Sequence, residues 1–468
     1  MLVGQAGVQI GVYRMEKMMV STSPKPAKKV IPGPFELPLL GSLHTLFMDG
    51  IRIRNQQARD FPDINQINLG PIKLVRVNKA EYVQEVLVGN WADYDKTDQV
   101  TGLAQPILGH GLLTSQHKPH RRVRRLVQPA FNHQRVSAYA ETMTEVAEAR
   151  QTIWQDGSTI NFTQEMQKIT MQVISRVMFS SDVTQEAKEL GNAIVTAMAY
   201  VTRYFFFPFI SYLPVPATLH YRQAQATLNA IIYRMIEERR REPGDQGDFL
   251  SMLIQSQDAD GSGLDDEQIR DELMTIFIAG HETAANALSW AFYLLARHPR
   301  RYERVLAEVD EVLQGRTPTV ADLPRLTFTT QVFKETLRLY PPAHFIPRVA
   351  VCDTMLDGYA IKKGTLVMVD VFTMQRRPDY FANPNRFEPE RFDPEREKAI
   401  PKGAYLPFGA GPRVCIGNGF AMLEGQLLLA SIAQRVRFEL FEGKAVRPEP
   451  LVTLRPKGGI SMVVRRRT

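Results

Sequence analysis

The sequence predicts a mainly α-helical protein with a small β region, and three observations carry this prediction. Helical periodicity dominates residues 80 to 340, where apolar side chains return at the 3.6-residue spacing of amphipathic helices. Strand-like segments are confined to residues 64 to 78 and to the chain after residue 345, where Gly and Pro bound them. No internal repeat or low-complexity tract occurs, so a globular fold with a large core is expected.

The composition limits the class of protein. Of 468 residues, 44% are hydrophobic and 23% are charged, as in soluble globular proteins. The only cysteines are Cys352 and Cys415, which excludes a disulfide framework and favours a reducing, cytoplasmic compartment. Cys352 lies in a β-branched run without glycines, which favours a structural role.

The net charge of the chain is +7, but the sequence has no signature of a nucleic-acid recognition module. We therefore expect an acidic protein partner and no nucleic acid.

The N-terminal segment predicts no transmembrane helix. Its first 13 residues are apolar, which is too short to span a bilayer, and they lack the basic region of a signal peptide. Residues 21 to 34 are rich in Pro and Lys and predict no regular element. We therefore expect a flexible lead-in over residues 1–29 and one domain over residues 30–468. A weak contact of the protein with a membrane surface is compatible with this organisation.

The elements of the first two thirds follow from local patterns. Residues 64–70 and 72–78 predict a hairpin across Gly70-Pro71. Residues 163–179 place Met166, Ile169, Val173, Val177 and Met178 on one face, as expected for a packed helix.

The longest predicted helix starts at the N-cap residue Asp265, with Gln268 three positions on, and reaches His298, where Pro299 ends it. Such a helix of about 32 residues would be roughly 48 Å long and could cross a whole domain. Short strands are predicted after residue 345 in RVAVCD, MLDGYAI and TLVMVDVF. A helix over residues 418–434 and a strand in GISMVVRR close the chain.

Residues 408–419, FGAGPRVCIGNG, which we call the cysteine loop, place Cys415 among glycines. The loop lacks the third glycine of G-x-G-x-x-G and follows no strong strand, so a dinucleotide site is excluded. What remains is the pattern F-x-x-G-x-R-x-C-x-G. Its five positions are filled by Phe408, Gly411, Arg413, Cys415 and Gly417. The alternative interpretation of the thiol is a buried structural cysteine in a turn.

Through this loop the sequence resembles the cytochrome P450 family of haem-thiolate monooxygenases, of the soluble bacterial type. The resemblance covers residues 30 to 465 and implies the cytochrome P450 fold. It also implies haem b (heme b, iron protoporphyrin IX) buried between the longest helix and the cysteine loop. Cys415 would be the axial iron ligand, with Phe408, Gly409 and Gly417 beside the cofactor. Glycines would let the backbone approach the flat macrocycle, and the following helix N-terminus would lower the thiol pKa.

The same resemblance assigns a structural role to a charged pair in KETLRLYPP. Glu335 and Arg338 are neighbours on a helix face at i, i+3, a spacing that is usually solvated. Their position about 80 residues before the cysteine loop, followed by NPNRFEPERF, is that of the family. The resemblance implies that Glu335, Arg338 and Arg391 form a buried charge network.

The segment AGHETA, residues 279–284, lies inside the longest helix and is similar to the oxygen-binding segment of the family. Gly280 would leave space for a diatomic ligand, and Thr283 would bond back to the carbonyl of Ala279. The pair Glu282 and Thr283 suits proton delivery to dioxygen. Glu stands where the family more often has Asp, and His281 has no assigned role.

Basic residues are predicted at the haem propionates. The resemblance assigns this role to His120 and Arg124 in HKPHRRVRRL, to Arg348 and to Arg413, and cationic donors suit two carboxylates. Three further residues of the same basic helix are expected at the surface, where they could help to dock an acidic electron donor: Arg121, Arg122 and Arg125.

Three segments are predicted to touch substrate. Residues 200–214 hold seven aromatic side chains, among them Phe206 and Phe207, and form either a core helix end or an apolar lid. The others are residues 97–113 and 343–346, the latter including Phe345 and Ile346. A hydrophobic substrate of the fatty acid, terpenoid or steroid class is expected.

The resemblance thus implies a monooxygenase that inserts one atom of O2 by hydroxylation or epoxidation. Its electrons would come from a separate ferredoxin or flavodoxin with its reductase. A peroxide-driven or isomerase-type enzyme is an alternative, although such variants usually lose the acid–alcohol pair. A non-catalytic haem sensor is the third alternative, and it would need no proton relay.

Overall fold

The computed structural model describes residues 29–467 apart from 37–40, 43–49, 71, 98–100, 103, 180–188, 190, 192, 195, 198, 201–212, 243 and 444. The helices are α1 (Gly50–Asp60), α2 (Ala80–Gln84), α3 (Gln105–Leu108), α4 (His117–Val127), α5 (His133–Ala138), α6 (Ala140–Gln151), α7 (Phe162–Phe179), α8 (Pro216–Arg241), α9 (Phe249–Gln255), α10 (Asp266–Arg297), α11 (Pro299–Leu313), α12 (Thr327–Leu339), α13 (Val371–Met374), α14 (Pro394–Lys398) and α15 (Asn418–Arg435). A π-helical turn, Glu85–Gly89, follows α2.

The strands are short and form four small sheets. They are β1 (Ile64–Leu69), β2 (Ile72–Val77), β3 (Tyr94–Asp95), β4 (Thr159–Asn161), β5 (Ile346–Ala350), β6 (Thr354–Leu356), β7 (Tyr359–Ile361), β8 (Leu366–Val369), β9 (Val436–Leu440), β10 (Pro448–Pro450), β11 (Leu454–Pro456) and β12 (Ser461–Arg466). The largest sheet has the order β1-β2-β8-β5-β3, and a second has the order β4-β12-β9. The pairs β6-β7 and β10-β11 stand alone. The predicted class, mainly α with a small β region, is confirmed.

Helix α10 organises the helical core, as its length predicts. Asp265 caps it by accepting from Gln268 N at 2.8 Å, while Gln268 Oε1 accepts from Asp265 N at 3.3 Å, a complete capping box. The helix has 32 residues and ends at His298, after which Pro299 opens α11. Helix α7 packs along it, and Thr170 Oγ1 donates to the carbonyl of His281 at 2.9 Å. None of the described helices is long and apolar enough to cross a membrane.

The largest sheet brings two distant segments to the same edge. In β5, Val349 lies opposite Asp95 of β3, and Arg348 lies opposite Val367 of β8. Asp95 and Arg348 are therefore close in space although about 250 residues apart in the chain. This edge of the sheet carries two charged groups of the candidate site, Asp95 and Arg348.

The predicted elements are largely present, and the differences lie after residue 345. Strand β5 covers Ile346–Ala350, and MLDGYAI forms the antiparallel pair β6–β7. The hairpin β1–β2, helix α7, helix α15 and strand β12 match their predicted segments. Strand β8 ends earlier than predicted, at Val369, because the side chain of Asp370 accepts from Thr373 N at 3.1 Å and starts α13. Cys352 is exposed in a bend after β5, so the prediction of a structural cysteine finds no support in packing.

Close packing between α12 and α15 fixes the helix that follows the cysteine loop. A Cβ on Gly425 of α15 would lie 2.1 Å from Cζ of Phe333 on α12. Both helices are buried at this contact. A glycine is therefore required here by the neighbouring ring and not by backbone conformation.

We expect Gly425→Ala to be less stable than the matched variant Gly419→Ala by about 1–3 kcal/mol, the usual cost of overpacking. Gly419 is on the same helix, and a Cβ there would meet no heavy atom within 4 Å. Gly419 lies in the first turn of α15 and Gly425 in its interior, where alanine gains more helix propensity, so a lower stability of Gly425→Ala reports the clash with Phe333. Denaturant unfolding of both variants measures it, and equal free energies of unfolding would contradict the packing argument.

Candidate active site

The cysteine loop is held by backbone hydrogen bonds around the thiol. Cys415 N donates to the carbonyl of Phe408 at 2.9 Å, and the N–H of Gly417 donates to the Cys415 thiol. Helix α15 begins three residues after Cys415. The thiol is accessible, yet enough protein surrounds it that burial raises its pKa; the Gly417 amide and Arg124 lower the pKa by less. The amide at the N-terminus of α15 thus acts on the thiol pKa in the predicted direction, and the effect of burial is larger.

Three glycines of the cysteine loop, Gly409, Gly411 and Gly417, lie against protein. Gly411 has φ of +71°, and a Cβ there would lie 1.9 Å from the carbonyl oxygen of Leu87 in the π-helical turn. A Cβ on Gly417 would meet the ring of Phe131 at 3.6 Å, and one on Gly409 would meet Ile346 at 3.5 Å. The expected clearance for a flat cofactor is thus corrected for Gly411. Its missing side chain is required where the loop packs on the turn after α2.

The four predicted propionate contacts converge beside the cysteine loop. Arg124 Nη1 donates to the carbonyl of Val414 at 2.7 Å, which ties α4 to the loop. Arg348 Nη1 donates to the carbonyl of Pro347 at 2.8 Å. Burial, together with the charges of Arg413, Arg124 and Arg348, lowers the pKa of His120 to about 3. This direction favours the neutral imidazole, which donates a hydrogen bond from one ring nitrogen and accepts one at the other.

Lys96 belongs to the same cluster and was missed by the sequence analysis. Its Nζ donates to the carbonyl of Leu113 at 2.9 Å. Burial holds the pKa of Lys96 well below its usual value, and the charges of Arg348 and Arg413 lower it further. No sequence motif marks this lysine, because its neighbours in space come from β5 and the cysteine loop.

The charges of this cluster fit a dianionic cofactor. Asp95 is the carboxylate that faces this cluster. Its negative charge raises the pKa of Lys96, Arg348 and Arg413, whereas burial lowers the pKa of all three. Arg413 Nη2 donates to Asp95 Oδ1 at 2.6 Å, whereas Arg413 Nη1 is buried and has no protein partner. A buried guanidinium nitrogen without an acceptor is costly. Two propionates would supply such acceptors, so the residues present fit a haem.

The predicted network below the cysteine loop is fully assembled. Glu335 and Arg338 are completely buried and paired twice, with Arg338 Nε at 2.6 Å from Oε2 and Nη2 at 2.7 Å from Oε1. Arg391 Nε reaches Glu335 Oε1 at 3.4 Å, and Glu388 N donates to the same oxygen at 2.9 Å. Arg338 also donates to the carbonyls of Gln375, Pro384 and Arg386, so one guanidinium ties several loop segments together.

The segment AGHETA interrupts an otherwise buried helix. Helix α10 is buried on both sides of it, whereas Ala279 is exposed and Gly280, Glu282 and Thr283 are partly exposed. Thr283 Oγ1 donates to the carbonyl of Ala279 at 2.7 Å, as predicted from the sequence. A small residue and an acid–alcohol pair are thus accessible in the middle of this otherwise buried helix.

Gly280 also lies at a close helix contact. A Cβ on Gly280 would lie 3.1 Å from Cδ1 of Ile174 on α7, which is tighter than most real contacts. A glycine at this position therefore eases the approach of the two helices, and its predicted role at the site of a diatomic ligand stays a prediction. Ala279, one position earlier, is an exposed small residue.

Two side chains outside the predicted set hold the acid. Thr453 Oγ1 donates to Glu282 Oε1 at 2.7 Å, and Asn286 Nδ2 donates to Thr453 Oγ1 at 3.2 Å. Asn286 lies four residues after Glu282, so helical spacing could have indicated it. His281 shares a hydrogen bond between its Nδ1 and the carbonyl of Phe277 at 3.0 Å, and it is buried. This contact gives His281 a structural explanation.

The predicted substrate residues are only partly described. Phe345 and Ile346 are half-buried between His344 and Arg348, next to the charge cluster, and Ile346 is the residue closest to Gly409. Phe206 and Phe207 lie outside the described residues.

The fold and the site define a class: a mainly helical haem-thiolate protein, with an accessible thiol beside a cluster of cations and an acid–alcohol pair on the long central helix. The family model "Cytochrome P450" matches residues 31–463, so the chain belongs to the cytochrome P450 family, which binds haem b. The crystal structure of the cytochrome P450DA haem domain agrees over 94% of this chain and 98% of that chain, with a TM-score of 0.86 and 28% identity. The predicted family, fold and cofactor are confirmed.

Three similar proteins come from bacteria of the genus Streptomyces. Cyclooctatin synthase of Streptomyces melanosporofaciens is 40% identical over 90% of this chain and 92% of its own. Cyclooctat-9-en-7-ol 5-monooxygenase of the same organism is 36% identical over 90% of each chain. Pentalenene oxygenase of Streptomyces avermitilis is 34% identical over 84% of this chain and 88% of its own. The chain is thus an oxidoreductase of the monooxygenase class, with O2 and a hydrophobic molecule as substrates.

We expect Glu335→Gln to reduce the free energy of unfolding by about 3–5 kcal/mol, because it leaves the buried charge of Arg338 without its partner. The matched control is Glu237→Gln, which breaks the exposed pair with Arg241 on α8 and should cost less than about 1 kcal/mol. Denaturant unfolding and the haem content of both variants provide the measurement. A Glu335→Gln protein as stable as the control would show that the network is dispensable.

Proposed function

We propose that this protein hydroxylates or epoxidises a terpenoid, with electrons from a separate redox partner. The observation that carries the monooxygenase chemistry is the acid–alcohol pair Glu282 and Thr283 on the open segment of α10. The names of the three Streptomyces relatives support the substrate class, since each names a terpenoid. Fatty acids and steroids, also expected from the sequence, have no comparable support among these three.

Cys415 would hold the iron, and five residues would hold the haem edge. A thiolate-bound haem supplies the activation of O2, because the thiolate donates electron density that favours O–O cleavage. Arg413 Nη1, buried and without a protein acceptor, is the donor best placed to bind a propionate. The residues that would share the two propionates with it are Lys96, His120, Arg124 and Arg348.

The residues of α10 would handle protons during O2 reduction. Thr283 Oγ1 is held in place because it donates a hydrogen bond to the carbonyl of Ala279. The lone pairs of the same oxygen can accept a hydrogen bond from a proton donor. Glu282 keeps one carboxylate oxygen beyond the one bonded to Thr453. We propose that Glu282 passes protons towards Thr283, which orients them towards the exposed side of Ala279. Phe345 and Ile346 would exclude water and contact the hydrophobic substrate.

The electron donor is proposed to be an acidic ferredoxin or flavodoxin with its reductase. A cavity of about 600 Å³ opens beside the cysteine loop and is lined by Arg121, Arg124, Arg125, Gln128, Pro129, Phe131, Asn132 and Pro412. Arg122 and Arg125 share Asp258, which compensates part of their charge. Arg121 is exposed and lies over the ring of Trp91, so it contributes the positive charge that an acidic partner would meet.

We further propose that residues 30–468 form one haem domain preceded by a lead-in, and that the protein works in the cytoplasm. The family match over residues 31–463 supports the domain. The two cysteines support a reducing compartment. The peroxide-driven, isomerase and sensor alternatives have no specific observation in their favour.

Cys415→Ala should abolish the red-shifted absorption band of the reduced carbon monoxide complex, since the band requires a thiolate ligand. Cys352→Ala is the matched control, because Cys352 is exposed and distant in the chain from the cysteine loop; it should keep the band. Spectra recorded at equal haem content separate loss of the ligand from loss of haem. A retained band in Cys415→Ala would exclude Cys415 as the iron ligand.

A binding panel tests the substrate class. Cyclic terpene hydrocarbons and terpene alcohols are expected to shift the haem from low spin to high spin at lower concentration than fatty acids or steroids of similar size. The titration of the holoenzyme measures this directly. Tight binding of a fatty acid or steroid, with no shift from any terpenoid, would contradict the proposed substrate class but not the monooxygenase chemistry.

A further inference from the structure

One row of side chains on α10 fastens the C-terminal hairpin to the central helix. Glu282, Asn286 and Trp290 are spaced four residues apart and therefore lie along one face. Glu282 and Asn286 both bond Thr453 Oγ1, and Trp290 Nε1 donates to the carbonyl of Leu454 at 3.0 Å. The loop between β10 and β11 together with the first residue of β11, which we call the hairpin tip (residues 451–454), is thus seated on the helix.

The hairpin tip also contacts the segment predicted to touch substrate. Leu454 N donates to the carbonyl of Pro342 at 3.0 Å, and His344 Nε2 shares a hydrogen bond with the carbonyl of Leu451 at 2.8 Å. Phe345 follows directly and packs edge-on to the His344 ring. Two hydrogen bonds to backbone carbonyls therefore join this part of the chain to the hairpin tip.

The hydroxyl of Thr453 has the hydrogen-bonding capacity that Glu282 and Asn286 require. A hydroxyl has one hydrogen to donate and lone pairs to accept. Thr453 donates to the Glu282 carboxyl and accepts from the Asn286 amide, so both capacities are used. Thr453 is only 8% exposed. A valine would fill similar space but would leave the amide of Asn286 without this acceptor and the carboxyl of Glu282 without this donor.

We propose that Thr453 is a positioning residue for proton delivery, because it fixes the carboxyl of Glu282 whenever the hairpin tip is seated on α10. This inference rests on the proposed role of Glu282 and extends it to a residue about 170 positions away in the chain. The carboxyl of Glu282 is carried by α10 and bonded by Thr453 of the hairpin tip. The hairpin tip is in turn bonded to Pro342 and His344, at the segment predicted to touch substrate. Proton delivery is thereby coupled to the seating of the hairpin tip.

The test is Thr453→Val in the holoenzyme, reconstituted with a redox partner and a substrate that gives the spin shift. Without the hydroxyl, more O2 should take two electrons and two protons and leave as hydrogen peroxide. We expect the peroxide fraction per electron pair to rise about fivefold, the factor for one hydrogen bond of ordinary strength. The solvent deuterium isotope effect on product formation should rise as well, while the substrate dissociation constant changes little.

Two further variants and one further measurement make the result specific. Thr453→Ser keeps the hydroxyl and should restore wild-type peroxide release and isotope effect. Thr144→Val removes a buried threonine hydroxyl that bonds only the backbone of its own helix α6 and should change neither. Hydrogen exchange at the hairpin tip is read independently of turnover, and it should be faster in Thr453→Val than in Thr453→Ser.

The outcomes separate this inference from the proposed function. If Glu282→Gln raises peroxide release but Thr453→Val does not, the positioning role is wrong and the role of Glu282 stands. If Glu282→Gln itself has no effect, the proposed proton role of Glu282 fails. If Thr453→Ser behaves like Thr453→Val, packing and not the hydroxyl matters, and the inference is overturned.

Discussion

The burial of several positive charges with Asp95 as their carboxylate partner is the constraint on which this structure depends. Burial disfavours each charged form, and the directions of the pKa shifts of Lys96, His120 and Arg348 record that cost. The charges come from α4, β3, β5 and the cysteine loop, so the sheet and the helical core must both be in place before the cluster exists. A haem with two carboxylates relieves the cost, which links cofactor binding to completion of the fold.

The sequence predicted those parts of the fold whose cause is local. A capping box at Asp265 and a proline after His298 set the bounds of the central helix, and both act within a few residues. The bond from Thr283 to Ala279 follows from helix geometry in the same way. The end of β8 was missed because Asp370 starts a helix by a side-chain bond that competes with the strand pattern.

Parts of the site that depend on distant neighbours could not be predicted. The glycine pattern identified the cysteine loop, but the pattern does not state which neighbour each glycine accommodates. Gly280 faces Ile174 and Gly411 faces Leu87, and both contacts join segments far apart in the chain. Lys96 and Thr453 carry no motif of their own, since each acquires its partners only when remote segments meet. The resemblance supplied the location of the site, and the folded chain supplied its geometry.

The close approach of Gly411 to the carbonyl of Leu87 has a consequence for engineering. The loop that carries the thiol is not a self-contained module, because part of its conformation is imposed by a π-helical turn more than 300 residues earlier. Grafting residues 408–419 onto another helical scaffold would move the glycines without the surface that requires them. A designer who wants this ligand geometry must transplant the turn after α2 together with the loop, or build an equivalent flat backbone surface beneath it.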